Sequence, residues 1–524
     1  MESGMLSMVF VLVVALSFIS CALPAHKTGT QPAVAPPQYV LRGGTVYDGT
    51  GAPGVRADVL FVGDTVKEIA PDIKADGAKV LDATGMVVCP GFIDAHQHAH
   101  EGMKRPRGAV GLKFDEMECV VQQGITTTVG GMDGSGELNL RKYAKNMSKH
   151  PCSPNIARLV GHTAARMEVI GKRKRKATPA ELKKMAALID QGMKDGAFGL
   201  SSGLEYLGDY VTTEEVIALA KAVAPYGGYY ETHLRNEDVG VFDATEEAIR
   251  ICREGGNIPL SISHIKVGSY EVWHQAYRLE EILDDARAKG LTVYANWRPS
   301  INWQSDLKGY LDPKKTGDLK VIDAELRKYW PKANAYCFAC PSHPELAGQT
   351  LDKIAESWNV TPAEAIVKIW GFKDAKFEFD AKLWEDKRVL LNDPWCMVAS
   401  DGADAPSPRR PDPLIWNCFP IFFGQVVREW KWYPMETAVY KCTGLPAGML
   451  GFKDRGVLKP GMKADITVFD AATIHGEEHW DKADVPPKGV AYTIVNGVIV
   501  MDHGKHTRAK PGVFIRKTGL KAEG

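Results

Sequence analysis

Gly91-Phe92-Ile93-Asp94-Ala95-His96-Gln97-His98 is the stretch of sequence that decides the fold. Its apolar start is typical of a buried strand, and the two histidines follow where that strand ends. Residues two apart on an extended chain point to the same side, so both imidazoles can reach one metal ion. A lone histidine is more often a hydrogen-bonded core residue than a ligand, so the rest of the chain has to support this interpretation.

Similar chemistry recurs at the ends of other predicted strands. Asp133, His233, His264 and Asp401 each follow a short apolar run. In a barrel of parallel strands, side chains at the carboxyl ends of the strands converge on one face. Imidazole and carboxylate together suit zinc or a related divalent ion. Their recurrence at strand ends predicts a metal site more strongly than any single histidine does.

The middle of the chain has the pattern of an α/β barrel. Apolar strand-like runs alternate with amphipathic helical stretches, as expected for parallel strands joined by helices. Thr178-Pro179-Ala180-Glu181 and Thr212-Thr213-Glu214-Glu215 are typical helix starts with a capping threonine. Buried strands are predicted over 196–200, 228–232 and 259–263. We therefore predict a (β/α)₈ TIM barrel over 89–455, with an insertion over about 298–389 that covers the barrel mouth.

Both ends of the chain have a strand pattern. Short apolar runs separated by turn residues fill 39–88 and recur over 456–516, where Asn496-Gly497 is typical of a hairpin turn. Two strand-rich ends around a mixed middle predict one small β-sandwich domain assembled from both termini.

The N-terminal segment is typical of an export signal. Residues 6–19 are almost entirely apolar, which is too short to cross a bilayer comfortably. We predict a signal peptide over 1–22, a proline- and alanine-rich linker over 23–38, and a periplasmic or extracellular protein. Cleavage after Ala22 and lipid attachment at Cys21 remain alternatives, as do an uncleaved membrane anchor and a wrongly chosen start codon.

Charge and cysteine content narrow the possible partners. The 64 lysines and arginines balance 64 aspartates and glutamates, so no global field favours nucleic acid or an anionic membrane surface. A small-molecule substrate is expected instead. Ten cysteines do not make a disulfide scaffold in a chain of this length. Cys337-Phe338-Ala339-Cys340 is predicted to form a local disulfide bridge, with half of a zinc site as the alternative.

A set of ordered motifs gives the chain a family resemblance. From Tyr39 to Arg516 it resembles the N-acyl-D-amino-acid deacylase (D-aminoacylase) branch of the amidohydrolase superfamily. The motifs that carry the resemblance are Gly91 to His98, Gly124-Ile125-Thr126-Thr127-Thr128-Val129, Gly161-His162-Thr163-Ala164-Ala165-Arg166, Thr232-His233-Leu234-Arg235, Ser263-His264-Ile265-Lys266, Ser400-Asp401-Gly402 and Gly461-Met462-Lys463-Ala464-Asp465. The resemblance implies a barrel with a small β-sandwich and one or two zinc ions.

The resemblance also implies roles for individual residues. His96, His98 and Asp401 would form one metal position, while His233 and His264 would belong to the tighter one. Family members carry a cysteine where this chain has Asp133. We expect that carboxylate to ligate the metal, with a turn residue before Gly134 as the alternative.

Two residues are predicted to take part in the chemistry. Asp401 is expected to carry the proton from the attacking water to the departing amine. Tyr206, which matches the family's tyrosine after Gly-Leu-Glu, is expected to donate to the developing oxyanion. Ordinary packing in the wall of the site is the alternative role of Tyr206.

Substrate capture is predicted from basic residues near the metal histidines. Arg235, Lys266 and Arg298 are predicted to hold a substrate carboxylate, with structural ion pairs as the alternative. The family's Tyr-Pro-Tyr and His-Pro-Arg segments are replaced here by 296–299 and 412–414. We predict hydrolysis of the amide bond of an N-acyl amino acid, or of a related small amide or dipeptide. A cyclic-amide hydrolase and a catalytically inactive secreted binding protein are the alternatives.

Overall fold

The structure is a computed structural model that describes residues 36–98, 116–305, 317–329, 335–372, 374–403, 412–478 and 484–517. The predicted signal peptide, Cys21 and most of the predicted linker lie outside these residues. Pro37–Gly524 belong to one compact unit. Within the described ranges, no helix has the length and apolar character needed to cross a membrane.

Strands and helices alternate through most of the described chain. The strands are β1 (Gln38–Val46), β2 (Val55–Val62), β3 (Thr65–Ala70), β4 (Lys79–Asp82), β5 (Val87–Pro90), β6 (Phe92–Asp94), β7 (Ile125–Gly130), β8 (Asn155–Arg158), β9 (Val160–Gly161), β10 (Gly199–Gly203), β11 (Tyr229–His233), β12 (Leu260–Ile262), β13 (Val293–Trp297), β14 (Asn302–Ser305), β15 (Tyr336–Ala339), β16 (Gln349–Thr350), β17 (Lys376–Asp380), β18 (Cys396–Val398), β19 (Ile466–Phe469), β20 (Val490–Val495), β21 (Val498–Asp502) and β22 (Lys505–His506). The α-helices are α1 (Glu118–Val121), α2 (Leu140–Lys149), α3 (His162–Val169), α4 (Pro179–Lys194), α5 (Leu204–Leu207), α6 (Thr213–Val223), α7 (Val241–Glu254), α8 (Ala276–Ala288), α9 (Leu319–Tyr329), α10 (Leu351–Ser357), α11 (Pro362–Trp370), α12 (Trp384–Asn392), α13 (Leu414–Ile421), α14 (Met435–Cys442) and α15 (Gly444–Leu450). Short 3₁₀ turns occupy Ala224–Tyr226, Tyr270–Val272 and Pro344–Leu346, and a π-helix occupies Phe422–Glu429.

Parallel pairing closes the central strands into a barrel. One parallel sheet has the order β18-β13-β12-β11-β10-β9, and a second has the order β6-β7-β8. β8 and β9 are consecutive parts of one strand, and a parallel bridge between Gln97 and Gly402 joins the first strand to the last. The result is a ring of eight parallel strands with helices between them, which confirms the predicted α/β barrel.

The two chain ends meet in a single nine-stranded sheet. Its order is β22-β21-β20-β19-β5-β1-β2-β3, and β4 pairs with β1. The predicted hairpin turn joins β20 to β21, with Asn496 at φ 48° and Gly497 at φ 74°, as a tight primed turn requires. Apolar side chains of this sheet, including Val59, Phe61 and Ile466, form one hydrophobic cluster. The sheet therefore has a core of its own, and β5 leads directly into the first barrel strand.

Both predicted helix starts agree with the structure, whereas one predicted strand begins later than expected. Thr178 and Glu181 form a capping box at the start of α4, and Thr212 caps α6. The strand predicted over 196–200 begins instead at Gly199. α4 ends at Lys194, and Gly196 then adopts φ +104°, so the chain becomes extended only after this turn.

The insertion forms a small layer with its own core. Its antiparallel sheet has the order β14-β17-β15-β16, and its buried side chains form a separate hydrophobic cluster. The predicted bridge between Cys337 and Cys340 is wrong, because both are free buried thiols in the described part of the chain. Cys337 packs within strand β15 in that cluster, whereas the sulfur of Cys340 lies 3.6 Å from Asp374 Oδ1.

Candidate metal centre

Six predicted ligands lie at the same end of the barrel because each follows or ends a barrel strand. His96 and His98 follow β6, Asp133 follows β7, His233 ends β11, His264 follows β12, and Asp401 follows β18. Parallel strands place these positions on one rim.

The ligand atoms on this rim form three overlapping groups. In each group, one ligand atom from every residue lies within 4.8 Å of the others. The groups are His96, His98 and Asp401; His96, Asp133 and His264; and His233, Glu237 and His264. Since His96 and His264 each belong to two groups, all six predicted ligands and Glu237 form one continuous cluster, called the metal cluster below.

A buried carboxylate orients His96. Nδ1 of His96 lies 3.1 Å from Glu231 Oε1, which also accepts hydrogen bonds from Ser263 Oγ (3.0 Å) and Asn296 Nδ2 (2.8 Å). Nε2 of His96 is buried and has no hydrogen-bond partner among the described residues. A histidine whose Nδ1 donates to a carboxylate can present its Nε2 lone pair to a metal ion.

Asp401 lies between the histidines and a guanidinium. Its Oδ1 is 3.1 Å from His98 Nε2 and 3.4 Å from His96 Nε2, and its Oδ2 is 3.1 Å from Arg298 Nη1. Burial raises the pKa of Asp401, but the charge of Arg298 and the neighbouring rings of His96 and His98 hold that pKa well below its usual range. Asp401 is therefore a carboxylate anion at neutral pH.

A second buried carboxylate holds the other two histidines. Glu237 Oε1 lies 3.1 Å from His264 Nδ1, and its Oε2 lies 3.4 Å from His233 Nε2 and forms an ion pair with Lys266 Nζ. Burial and the charge of Lys266 lower the pKa of His264 to about 3, so this ring is neutral, as a ligand must be. His233 Nε2 is also 2.6 Å from Glu205 Oε2.

Three residues of the metal cluster have left-handed backbone conformations. Asp133, His264 and Asp401 have φ values of 53°, 35° and 51°. Such angles are uncommon outside glycine, and strained residues concentrate at functional sites. Each of the three turns the chain sharply just after its strand, which directs the side chain into the barrel mouth.

The donors of this cluster fit a divalent metal. Besides His96 Nε2, the buried Oδ1 of Asp133 lacks a hydrogen-bond partner within the described part of the protein. Lys266 pairs with Glu237 and Arg298 pairs with Asp401, and a bound cation would compensate further buried carboxylate charge in the cluster. Imidazole nitrogens and carboxylate oxygens are the ligands of zinc and related ions.

The structure separates the three basic residues predicted to bind substrate. Lys266 and Arg298 contact the metal cluster, through Glu237 and Asp401 respectively. Arg298 Nη2 also lies 2.6 Å from Asp412 Oδ2. Arg235 is not brought into the cluster, because its Nε and Nη2 each donate to Glu247 over 2.8 Å.

Tyr206 lies at the solvent edge of the cluster. It is 62% exposed, its hydroxyl is 3.1 Å from His233 Nδ1, and the two rings are 4.5 Å apart. The predicted tyrosine is thus close enough to reach a substrate bound above His233.

Comparisons with known proteins agree with this geometry. A model of the amidohydrolase family matches residues 79–345 and 381–501. The chain belongs to the amidohydrolase family. Among curated relatives, D-aminoacylase of Alcaligenes xylosoxydans xylosoxydans is 29% identical over 92% of this chain and 98% of its own length. N-acyl-D-glutamate deacylase of the same organism is 29% identical over 91% of this chain and 96% of its own length.

Solved structures of other amidohydrolases have the same fold. A crystal structure of D-aminoacylase has a TM-score of 0.77 and 30% identity, over 91% of this chain and 99% of its own. N-acyl-D-glutamate deacylase from Bordetella bronchiseptica, complexed with zinc and a phosphonate mimic of the tetrahedral intermediate, has a TM-score of 0.76 and 28% identity, with 91% and 99% covered. Another D-aminoacylase structure addresses the functional role of that enzyme's binuclear metal centre. Two solved relatives with this fold therefore hold a metal centre.

Proposed function

We propose that this amidohydrolase removes the acyl group from an N-acylated amino acid, or cleaves a related small amide or dipeptide. The observation that carries the proposal is the metal cluster, in which four histidines, Asp133, Asp401 and Glu237 meet at one rim of the barrel. The relatives named D-aminoacylase and N-acyl-D-glutamate deacylase support an amide substrate of this class.

Zinc, as one or two ions, is the proposed metal. His96, His98 and Asp401 would hold one ion, and His233 and His264 would hold the other with Glu237 or Asp133. When bound, zinc would lower the pKa of a water molecule to about 7 and polarise a substrate carbonyl. The nitrogen and oxygen donor set and the zinc complex of the Bordetella relative support this choice.

Asp401 is the proposed general acid and base. Because its carboxylate is anionic and lies beside both His96 and His98, it can accept the proton of the attacking water. It would then return that proton to the leaving nitrogen, since an amide anion is a very poor leaving group. The hydroxyl of Tyr206 would donate to the oxygen that develops negative charge.

Two basic residues are proposed to hold the substrate carboxylate. Lys266 lies beside the metal cluster, and Arg298 is buried with an Nε that has no hydrogen-bond acceptor among the described residues. The guanidinium can therefore offer a further donor while Asp401 and Asp412 keep it in place. Arg235 is less suited, because Glu247 occupies two of its donors.

Export is proposed from the N-terminal segment alone. The apolar run over 6–19 and the small residues that follow it are typical of a secretory signal. Cleavage after Ala22 and lipid attachment at Cys21 both place the enzyme outside the cytoplasm. Mass spectrometry of the mature N-terminus would separate the two, and an intact Met1 would contradict both.

A substrate panel tests the proposed reaction. Zinc-reconstituted protein would be incubated with N-acetyl derivatives of D- and L-amino acids, with dipeptides, and with hydantoins and dihydropyrimidines. We expect free amine from the acyl amino acids, loss of activity with a chelator, and recovery with zinc. Asp401→Asn should lower kcat by at least about 100-fold, as loss of a general acid–base catalyst does. Asp285→Asn, an exposed aspartate paired with Lys289, is the matched control.

The alternatives give different results in the same panel. Ring opening without any release of amine from acyl amino acids would contradict the proposal and favour a cyclic-amide hydrolase. Bound zinc with no turnover of any amide would favour an inactive binding protein.

A further inference from the structure

A separate group of carboxylates lies at the opposite end of the barrel from the metal cluster. Asp393 precedes β18, whereas Asp401 follows it. Glu280 and Asp284 are four residues apart on α8 and therefore share a face of that helix. One carboxylate oxygen from each of the three acidic residues lies within 4.8 Å of the other two.

Asp393 is the buried member of this group. It is 5% exposed, and no described residue forms a hydrogen bond with its buried Oδ2. Burial, followed by the charges of Glu280 and Asp284, raises the pKa of Asp393 to about 7. A buried carboxylate oxygen without a partner, facing two like charges, is costly unless a cation or a proton compensates it.

Neighbouring donors leave this oxygen without a partner. Lys441 Nζ donates to the backbone carbonyls of Asp393 (2.7 Å) and Cys396 (3.0 Å) instead of to the carboxylate. Trp395 Nε1 donates to Asp284 Oδ1 over 3.1 Å, and Arg287 Nε is 4.0 Å from the same oxygen. These contacts fix the loop and one oxygen of Asp284, and they leave the buried Oδ2 of Asp393 without a donor among the described residues.

We propose that Glu280, Asp284 and Asp393 bind a calcium ion. A set made only of carboxylates suits a hard cation better than zinc, which prefers nitrogen and sulfur. Magnesium keeps several of its waters and is usually held by one or two carboxylates, whereas calcium accepts more oxygen ligands in a flexible geometry. Three carboxylates that can share one ion therefore favour calcium.

The exposure of Asp284 and Glu280 leaves room for the water ligands that the calcium ion still needs. The side chain of Asp284 is 56% exposed and Glu280 is half-buried, so waters can supply the further oxygens that calcium needs. The ion would link α8 to the segment before β18. Its role is thus to stabilise the barrel, and it is independent of the proposed amide hydrolysis.

Calcium binding to the zinc-loaded protein tests the site directly. Radioactive calcium would be measured by equilibrium dialysis against wild type, Asp393→Asn and Glu280→Gln after removal of free metal. We expect one calcium per chain in wild type and loss of that ion in both variants. Saturating calcium, at about a hundredfold its dissociation constant, should raise the unfolding midpoint of wild type by about 2 °C and leave the variants unchanged.

Asp285→Asn on the same helix is the control. Its carboxylate pairs with Lys289 and lies outside the group, so this variant should keep the calcium of wild type. If Asp393→Asn fails to fold, Glu280→Gln alone decides the question, because Glu280 is not a core residue. Wild type that binds no calcium, or variants that bind it as wild type does, would overturn the proposal.

Discussion

At the residue scale, Glu231 determines how His96 faces the metal cluster. His96 follows β6 and Glu231 lies on β11, 135 positions away, and Ser263 and Asn296 hold the same carboxylate oxygen. Glu231 itself is fully buried. Such carboxylates fix the ring orientation of a metal-binding histidine and raise its basicity.

Replacing this carboxylate should weaken metal binding. Glu231→Gln keeps the shape of the side chain but removes the charge that favours a proton on His96 Nδ1, so we expect zinc affinity to fall about 10- to 100-fold. Competition with a chromogenic chelator measures the affinity. Glu254→Gln, an exposed pair with Arg250, is the control for charge. Unchanged affinity in Glu231→Gln would assign Glu231 a purely structural role.

Sequence reasoning found the residues that follow strands and missed those recruited from a distance. The predicted histidines, Asp133 and Asp401 meet because parallel strands bring their ends together. Glu205, Glu231 and Glu237 join them through contacts that no local pattern encodes, although Glu237 stands only four positions after His233. Arg235 stands two positions after His233 in sequence, yet Glu247 on α7 holds its side chain away from the metal cluster.

At the element scale, backbone packing fixes the loop that carries Asp133. The segment after β7 lies directly against β9, with Gly161 N donating to Gly136 O over 3.2 Å and Ala164 N donating to Gly134 O over 2.9 Å. A Cβ on Gly161 would overlap the carbonyl oxygen of Gly134 and the nitrogen of Gly136. Only glycine permits this approach, and the left-handed turn at Asp133 depends on it.

Gly161→Ala should disturb both stability and metal binding. The backbone of 134–136 must move to admit the methyl group, and such overpacking costs about 1–3 kcal/mol. Because Asp133 belongs to the displaced loop, zinc affinity should fall as well. Urea unfolding and chelator competition measure the two effects. Gly448→Ala is the matched control, since a Cβ there meets no described atom within 4 Å. Equal behaviour of the two variants would show that the loop adapts freely.

Helices and turns were predicted correctly where residues within a few positions determine them. Predictions failed where contacts with residues distant in sequence determine the structure. The capping threonines and the Asn496-Gly497 turn act within a few residues, so their elements appear as predicted. The start of β10 depends on a left-handed turn at Gly196, beside Arg516 from the far end of the chain. Whether Cys337 and Cys340 form a disulfide bridge or remain free thiols likewise depends on how the whole inserted layer packs.

At the scale of the whole molecule, a buried polar network joins the barrel to the sheet made from both ends. Asp465, next to β19, accepts hydrogen bonds from Arg455 Nη1 (2.8 Å), Asn155 Nδ2 (3.1 Å) and Asn496 N (2.6 Å). Asn155 belongs to barrel strand β8 and Asn496 to the hairpin of the end sheet. This network joins residues up to 341 positions apart in sequence and fixes the two parts against each other.

Removing the cation of this network should cost far more than removing a surface cation. Burial raises the pKa of Asp465, and the positive charge of Arg455 opposes that rise. Arg455→Met therefore leaves the buried carboxylate of Asp465 without that compensating charge. Breaking a buried pair in this way costs about 3–5 kcal/mol.

The control variant, Arg250→Met, removes a half-exposed arginine paired with Glu254 and Glu214 and should cost less than about 1 kcal/mol. Urea unfolding of both zinc-loaded variants makes the comparison. Equal losses would mean that the end sheet is held to the barrel by apolar packing alone, and a partial unfolding step in Arg455→Met would identify this network as the joint between the two.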